Sequence, residues 1–344
     1  MSGRKSIIAL ARILLLLAPW VFIAYLFRDV DAVRDAFEDA SVVPMAGGLL
    51  LTLAGLLAMA WLWTRLVGHL GRDIAVPDTP HLLRAFARSW LARYLPGKLW
   101  SYGARVVHTD AAVTPRRILA ASLVDEFALI IGSATALGLG LWAWAVAGPV
   151  AGVPLLLAGI AAVVVAMSRL DQLVALTLRF LARAIPQRWK AAAEEMERVV
   201  DDPGLGLKAA ALFTAGYLLA NLLLSVGFVL VVLSLSDIDW ADVPLLVGGY
   251  NLAGVLGIVA FFAPAGLGVR EGVLVGFLTP VVASPVAASL VVLVRLVTVV
   301  TDILFVALVE GLGLLTGRAA RRSLSASILD NERGVVTPTD QTGR

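Results

Sequence analysis

Apolar residues in this chain come in long unbroken blocks separated by short polar ones, without the strand-like alternation of a half-buried sheet. A helix needs about 20 predominantly apolar residues to cross the hydrocarbon core of a bilayer. Blocks of that kind occupy 7–27, 45–67, 118–146, 149–167, 209–233, 243–262 and 285–315, and a shorter one, 272–283, cannot cross unaided. The first block follows a basic start but is longer than a signal-peptide core and lacks a small-residue cleavage site, so it is expected to be an uncleaved first helix. The pattern predicts an all-α polytopic membrane protein of about eight transmembrane elements. One or two of these are expected to be re-entrant or broken, and an internal inverted repeat is a further expectation.

The polar segments set an orientation. Segment 28–44 holds two arginines against Asp29, Asp31, Asp35, Glu38 and Asp39, and 234–242 holds Asp237, Asp239 and Asp242 with no basic residue. Of the 28 basic residues, 24 fall on the opposite side, in the start of the chain, 65–117, 169–208 and the segment after Gly317. Basic loops stay cytoplasmic. The expectation is therefore a multi-pass protein of the cytoplasmic (inner) membrane with both termini cytoplasmic. The membrane domain is expected over 1–317, including an amphipathic cytoplasmic connector at 169–208. A disordered cytoplasmic tail is expected over 318–344.

Composition narrows the chemistry. Of 344 residues, 60% are hydrophobic and 15% charged, against about 25% charged in a soluble domain. There is no cysteine and there are three histidines, without a metal-binding spacing. These counts exclude a soluble enzyme, a disulfide scaffold and a thiolate metal site; no metal, cofactor or nucleic-acid partner is expected. No catalytic or nucleotide-binding motif is found, so the chain is not expected to be an enzyme or to hydrolyse ATP.

What remains unusual is charge and broken backbone inside apolar blocks. Asp125, Glu126, Arg270, Glu271, Arg295 and Asp302 lie deep in spans, where an unpaired charge costs roughly 2.5–3.5 kcal/mol. Such groups either staple helices together or line a wet cavity. Arg295 and Asp302 are seven residues apart, close to two helical turns, and so share a face with Thr298. Proline and glycine interrupt two apolar stretches: Pro96-Gly97 within Tyr94-Leu95-Pro96-Gly97-Lys98-Leu99-Trp100, and Pro264, Gly266 and Gly268 within 261–272. Irregular backbone at membrane depth is tolerated inside protein or beside water. Broken helices in matching positions of two halves point to a transporter site. Arg93, Lys98, Arg105, Arg270 and Arg295 are the candidate lipid-headgroup ligands. Asp125, Glu126, Glu271 and Asp302 are the candidates for charge balance or proton coupling. Gly272 and Gly276 have the spacing of a close helix contact.

At both breaks the sequence resembles the lysylphosphatidylglycerol synthase transmembrane region family, the flippase-like domain of the multiple peptide resistance factor. The similarity rests on residues 94–100 and 264–272 with Arg295 and Asp302 following, and spans roughly 5–318. Ala265 departs from it, standing where the motif has glycine. The resemblance implies a multi-helix domain that moves a lipid headgroup between leaflets. Only 27 residues follow Gly317, too few for an aminoacyl-transfer module, so aminoacylation and a lysyl headgroup are not carried over. The leading expectation is translocation, without an ATPase of its own, of an anionic phospholipid, glycolipid or polyprenyl-phosphate-linked headgroup. Membrane lipids are the expected partners, with self-association or a lipid-modifying enzyme as further ones. The alternatives are a membrane-embedded glycosyltransferase using Asp29 and Asp31, and a non-transporting scaffold for a lipid-modifying enzyme.

Overall fold

The computed structural model describes residues 40–70, 79–95, 99–109, 113–146, 206–260 and 263–334, with isolated positions 165, 169, 172 and 176. The expected spans 7–27 and, apart from Val165, 149–167 lie outside the described residues, as do Asp29, Asp31, most of the connector, and Pro96, Gly97 and Lys98.

The regular structure is helical throughout the described residues. The helices are α1 (Val42–His69), α2 (Thr79–Leu91), α3 (Leu99–His108), α4 (Pro115–Val146), α5 (Leu207–Leu235), α6 (Val243–Val259), α7 (Val269–Leu278) and α8 (Ser284–Gly334). Among the described residues five stretches, within α1, α4, α5 and α8 and over 240–259, are long and apolar enough to cross a membrane. Helix α8 covers the expected block 285–315 and runs on through 318–334, where an irregular tail was expected. Gly272 and Gly276 are exposed, and among the described residues no neighbour lies within 4 Å of an added β-carbon at either.

Close helix approach occurs elsewhere. A β-carbon on Gly48 would sit 2.8 Å from the Gly227 carbonyl, and one on Gly140 would sit 2.5 Å from the Pro244 carbonyl. These glycines let the backbones of α1 and α5, and of α4 and α6, touch directly. Helices α1 and α5 run antiparallel: the Ser41 N–H donates to the Ser234 carbonyl at 2.9 Å at one end, and His69 meets Phe213 at the other.

Helix–break–helix followed by a long helix occurs twice, as α2–α3–α4 and as α6–α7–α8, each preceded by a long helix. The packing repeats with it. Helix α4 packs on α6 as α8 packs on α2; α5 packs on α4 as α1 packs on α8; α1 meets α2 and α4 as α5 meets α6 and α8. Because the corresponding helices α1 and α5 are antiparallel, the repeat is inverted. Helices α2 and α3 form a hairpin entering from the end of the bundle where α1 stops and α4 starts; Arg117 of α4 donates there to the Val67 and Gly68 carbonyls. Helices α6 and α7 form the matching hairpin from the other end, with Phe277 beside Gly249 near its mouth and Arg270 beside Gly257 near its tip. The tips, Ala92–Tyr94 and Pro264–Gly266, pack against each other inside the bundle.

Candidate functional site

The second tip shows why a continuous helix fails there. Ala265, Gly266 and Gly268 have φ of 51°, 72° and 82°, the left-handed region that glycine enters freely and alanine does not. Gly268 then starts α7, and the Glu271 carboxylate turns back to accept the Gly268 N–H at 2.6 Å. At the first tip the chain leaves α2 through Ala92–Tyr94 and extends at Leu95.

A cavity of about 170 Å³ opens where the tips meet. Its lining combines the charged residues Arg93, Arg105, Asp125, Glu126, Arg270 and Asp302 with apolar residues that include Leu56, Met59, Leu129, Leu224 and Ile258. A cavity of that composition can meet both a charged group and a hydrocarbon.

Most of the predicted charges come together there, as pairs. Asp302, 2% exposed, pairs with Arg93 and accepts from the Trp90 indole at 2.8 Å and the Tyr94 hydroxyl at 2.6 Å. Arg93 also lies over the Trp90 ring at 4.2 Å, a cation–π contact. Arg105 pairs with Asp125 at 2.8 Å, donates to the Ser122 hydroxyl at 3.1 Å and lies over Phe86 at 4.5 Å. Glu126 accepts from the Tyr102 hydroxyl at 3.1 Å. Arg295 and Asp302 share a face of α8: Arg295 faces Glu271 of α7 at 3.5 Å and lies over the Tyr94 ring at 5.6 Å, while Asp302 engages the tip of α2. Outside the cavity, Arg88 of α2 holds Glu310 of α8 at 2.6 Å, and that hydrogen bond raises the pKa of Arg88 above the usual guanidinium value.

Arg270 differs from Arg93, Arg105 and Arg295. It has neither a hydrogen bond nor an ion pair among the described residues. Its stem passes between Gly257 and Gly266, where added β-carbons would lie 2.6 Å from its Cγ and 3.0 Å from its Cδ. The two glycines form the slot that holds it.

Several contributors lay outside the sequence-based set. Trp90 and Tyr94 hold a carboxylate, and Tyr102 does the same for Glu126. Gly254 and Gly257, three residues apart on α6, flank the Arg270 side chain. The small-residue spacing was visible, but its partner was visible only once the hairpin had folded.

Fold and site together define a multi-pass helical membrane protein with a charged, partly apolar cavity between two inverted broken-helix halves. The model of the Lysylphosphatidylglycerol synthase TM region family matches residues 7–305, most of the chain, and the protein belongs to that family, a membrane domain of lipid-related synthase and flippase proteins. A comparison with curated proteins finds no match.

Proposed function

We propose that the protein translocates a lipid with an anionic headgroup across the cytoplasmic membrane, without an ATPase of its own. The headgroup enters the cavity at the meeting hairpin tips, and the acyl chains remain with apolar lining residues and the bilayer. The observation that carries this reading is Arg270: a cation held in a glycine slot, facing the cavity, with no carboxylate on it. In a membrane interior an arginine is kept for a partner, and a phosphate oxygen is the natural one for a guanidinium. Arg93 and Arg105 tune the field from the same cavity lining, while Asp302, Asp125 and Glu271 balance Arg93, Arg105 and Arg295 respectively. Two inverted hairpins entering from opposite ends give a site that either side can reach when the halves rock against each other.

The test is reconstitution. In proteoliposomes carrying a fluorescent anionic phospholipid, loss of outer-leaflet signal to an impermeant quencher reports translocation. Wild-type protein should accelerate it, Arg270→Ala should return it to the protein-free rate with normal expression and monodispersity, and Arg270→Lys should recover part. Charge-assisted hydrogen bonds of this kind contribute about 1.5–3 kcal/mol. A well-folded Arg270→Ala protein moving lipid at the wild-type rate would overturn the reading.

A further inference from the structure

Behind Arg270 lies a second, smaller cavity of about 30 Å³, bounded by Tyr250, Arg270, Glu271, Arg295 and Thr298 among others. Arg270, Tyr250 and Thr298 line both cavities and so stand between them. Arg295 is 7% exposed, and its Nη2 is buried without a hydrogen-bond partner among the described residues. Glu271 does not supply that partner: one of its oxygens takes the Gly268 N–H at 2.6 Å and the other stands 3.5 Å from Arg295 Nε. Two arginines against one glutamate leave a single positive charge around this space.

We infer that the small cavity is an anion site in which Arg270 and Arg295 together hold one singly charged group. Its size limits the occupant. One water needs roughly 10–15 Å³ of cavity, so this one has room for one or two heavy atoms. A chloride-sized ion fits, as does a single phosphate oxygen reaching past Arg270, whereas a whole phosphate group with Arg270 in place does not. The inference deepens the role of Arg270 but does not depend on transport. An anion in the small cavity draws Arg270 away from the main one, so occupancy here competes with headgroup binding there.

Purified full-length protein in uncharged detergent tests this by its melting temperature at constant ionic strength. Chloride replaces gluconate in one arm, and a short-chain phosphatidylglycerol is added in gluconate in the other. Chloride should raise the melting temperature in a saturable way, and Arg295→Gln and Arg270→Gln should abolish the rise. Arg88→Gln, at the surface pair with Glu310, should retain it. Because Arg295→Gln removes a buried group, Glu271→Gln provides the opposite test: with the competing carboxylate neutralised, half-saturation should move to about ten-fold lower chloride. If only the lipid arm stabilises, and Arg295→Gln abolishes that effect, the occupant is an oxygen of the headgroup. If chloride and lipid both stabilise but their effects do not add, the two compete as inferred. Stabilisation that persists unchanged in Arg295→Gln, or half-saturation unmoved in Glu271→Gln, would overturn the site. An anion site confirmed in a protein that moves no lipid would sink the transport reading alone.

Discussion

Asp302 of α8 accepts the indole N–H of Trp90 at 2.8 Å, tying the last helix of the second half to the broken hairpin of the first. Together with Arg93 and Tyr94, this leaves the carboxylate with three donors from one short stretch of chain. Removing one member of a buried pair leaves the other charge without compensation, which costs about 3–5 kcal/mol. Asp302→Ala should therefore lower the melting temperature in detergent sharply. Arg93→Gln combined with Asp302→Asn should recover most of the loss, since no charge is then orphaned. An Asp302→Ala protein melting like the wild type would show that the contact carries no weight.

Ala265 is the single non-glycine residue with positive φ among the described residues. A left-handed conformation costs an L-residue roughly 1–2 kcal/mol. Ala265→Gly should relieve much of that and raise stability by about 1 kcal/mol, less the entropy that glycine loses on folding. Ala265→Val should lower it. Denaturation curves for the pair decide the matter, and a destabilised Ala265→Gly protein would rule out backbone strain at this turn.

The Arg270 slot gives a test that leaves the arginine itself in place. A β-carbon at Gly257 would lie 2.6 Å from Arg270 Cγ, whereas one at Gly254 would lie 3.6 Å from its Nη2, an ordinary contact. Gly257→Ala should push the guanidinium off its position and cut translocation at least ten-fold with a small change in melting temperature. Gly254→Ala should remain close to wild type. Equal activity in the two variants would mean that the arginine reaches its working position by another route.

Much of this was legible in the sequence because its signals are local. Apolar block length placed α1, α4, α5 and the membrane part of α8, and Pro264 with its glycines marked the second tip. The resemblance flagged Ala265 as a residue standing where glycine belongs, and the backbone there is left-handed. What was not legible depends on tertiary contact. Arg93 and Asp302 are 209 positions apart and Arg105 and Asp125 are 20 apart, and nothing near any of these residues announces its partner, so the pairing of the two candidate ligands could not be read from the sequence. Gly272 and Gly276 have the right spacing on a helix whose glycine face meets no neighbour among the described residues, while Gly48 and Gly227 bring together helices far apart in the sequence. The helical continuation of α8 past Gly317 has no apolar periodicity to reveal it.

Direct backbone contact between α1 and α5 sets the pseudo-two-fold arrangement. A β-carbon on Gly48 would lie 2.8 Å from a carbonyl of α5, and a carbonyl cannot rotate away as a side chain would. Overpacking costs about 1–3 kcal/mol where side chains can adjust, and this site falls at or beyond the upper end. Gly48→Leu should lower the melting temperature and reduce the folded yield. Gly103→Leu, where a β-carbon meets nothing within 4 Å among the described residues, should not. Equal yields would show that the two halves tolerate a gap along their shared axis.

The charge distribution along the chain predicts which end of the bundle faces outward. Trp240 stands at the end where α5 passes into α6, and Val107 at the opposite end, near the close of α3; they are 72% and 78% exposed. Acidic residues surround the first, and basic segments accompany the second. Because basic loops are retained on the cytoplasmic side, an impermeant maleimide applied to intact cells should label Trp240→Cys and not Val107→Cys. After permeabilisation it should label both. The chain has no cysteine of its own, so each signal belongs to one position. Labelling of position 107 alone from outside would invert the molecule in the membrane. The hairpin of α2 and α3 would then open outward, and the side from which Arg270 first meets a headgroup would be exchanged, with the cavity itself unchanged.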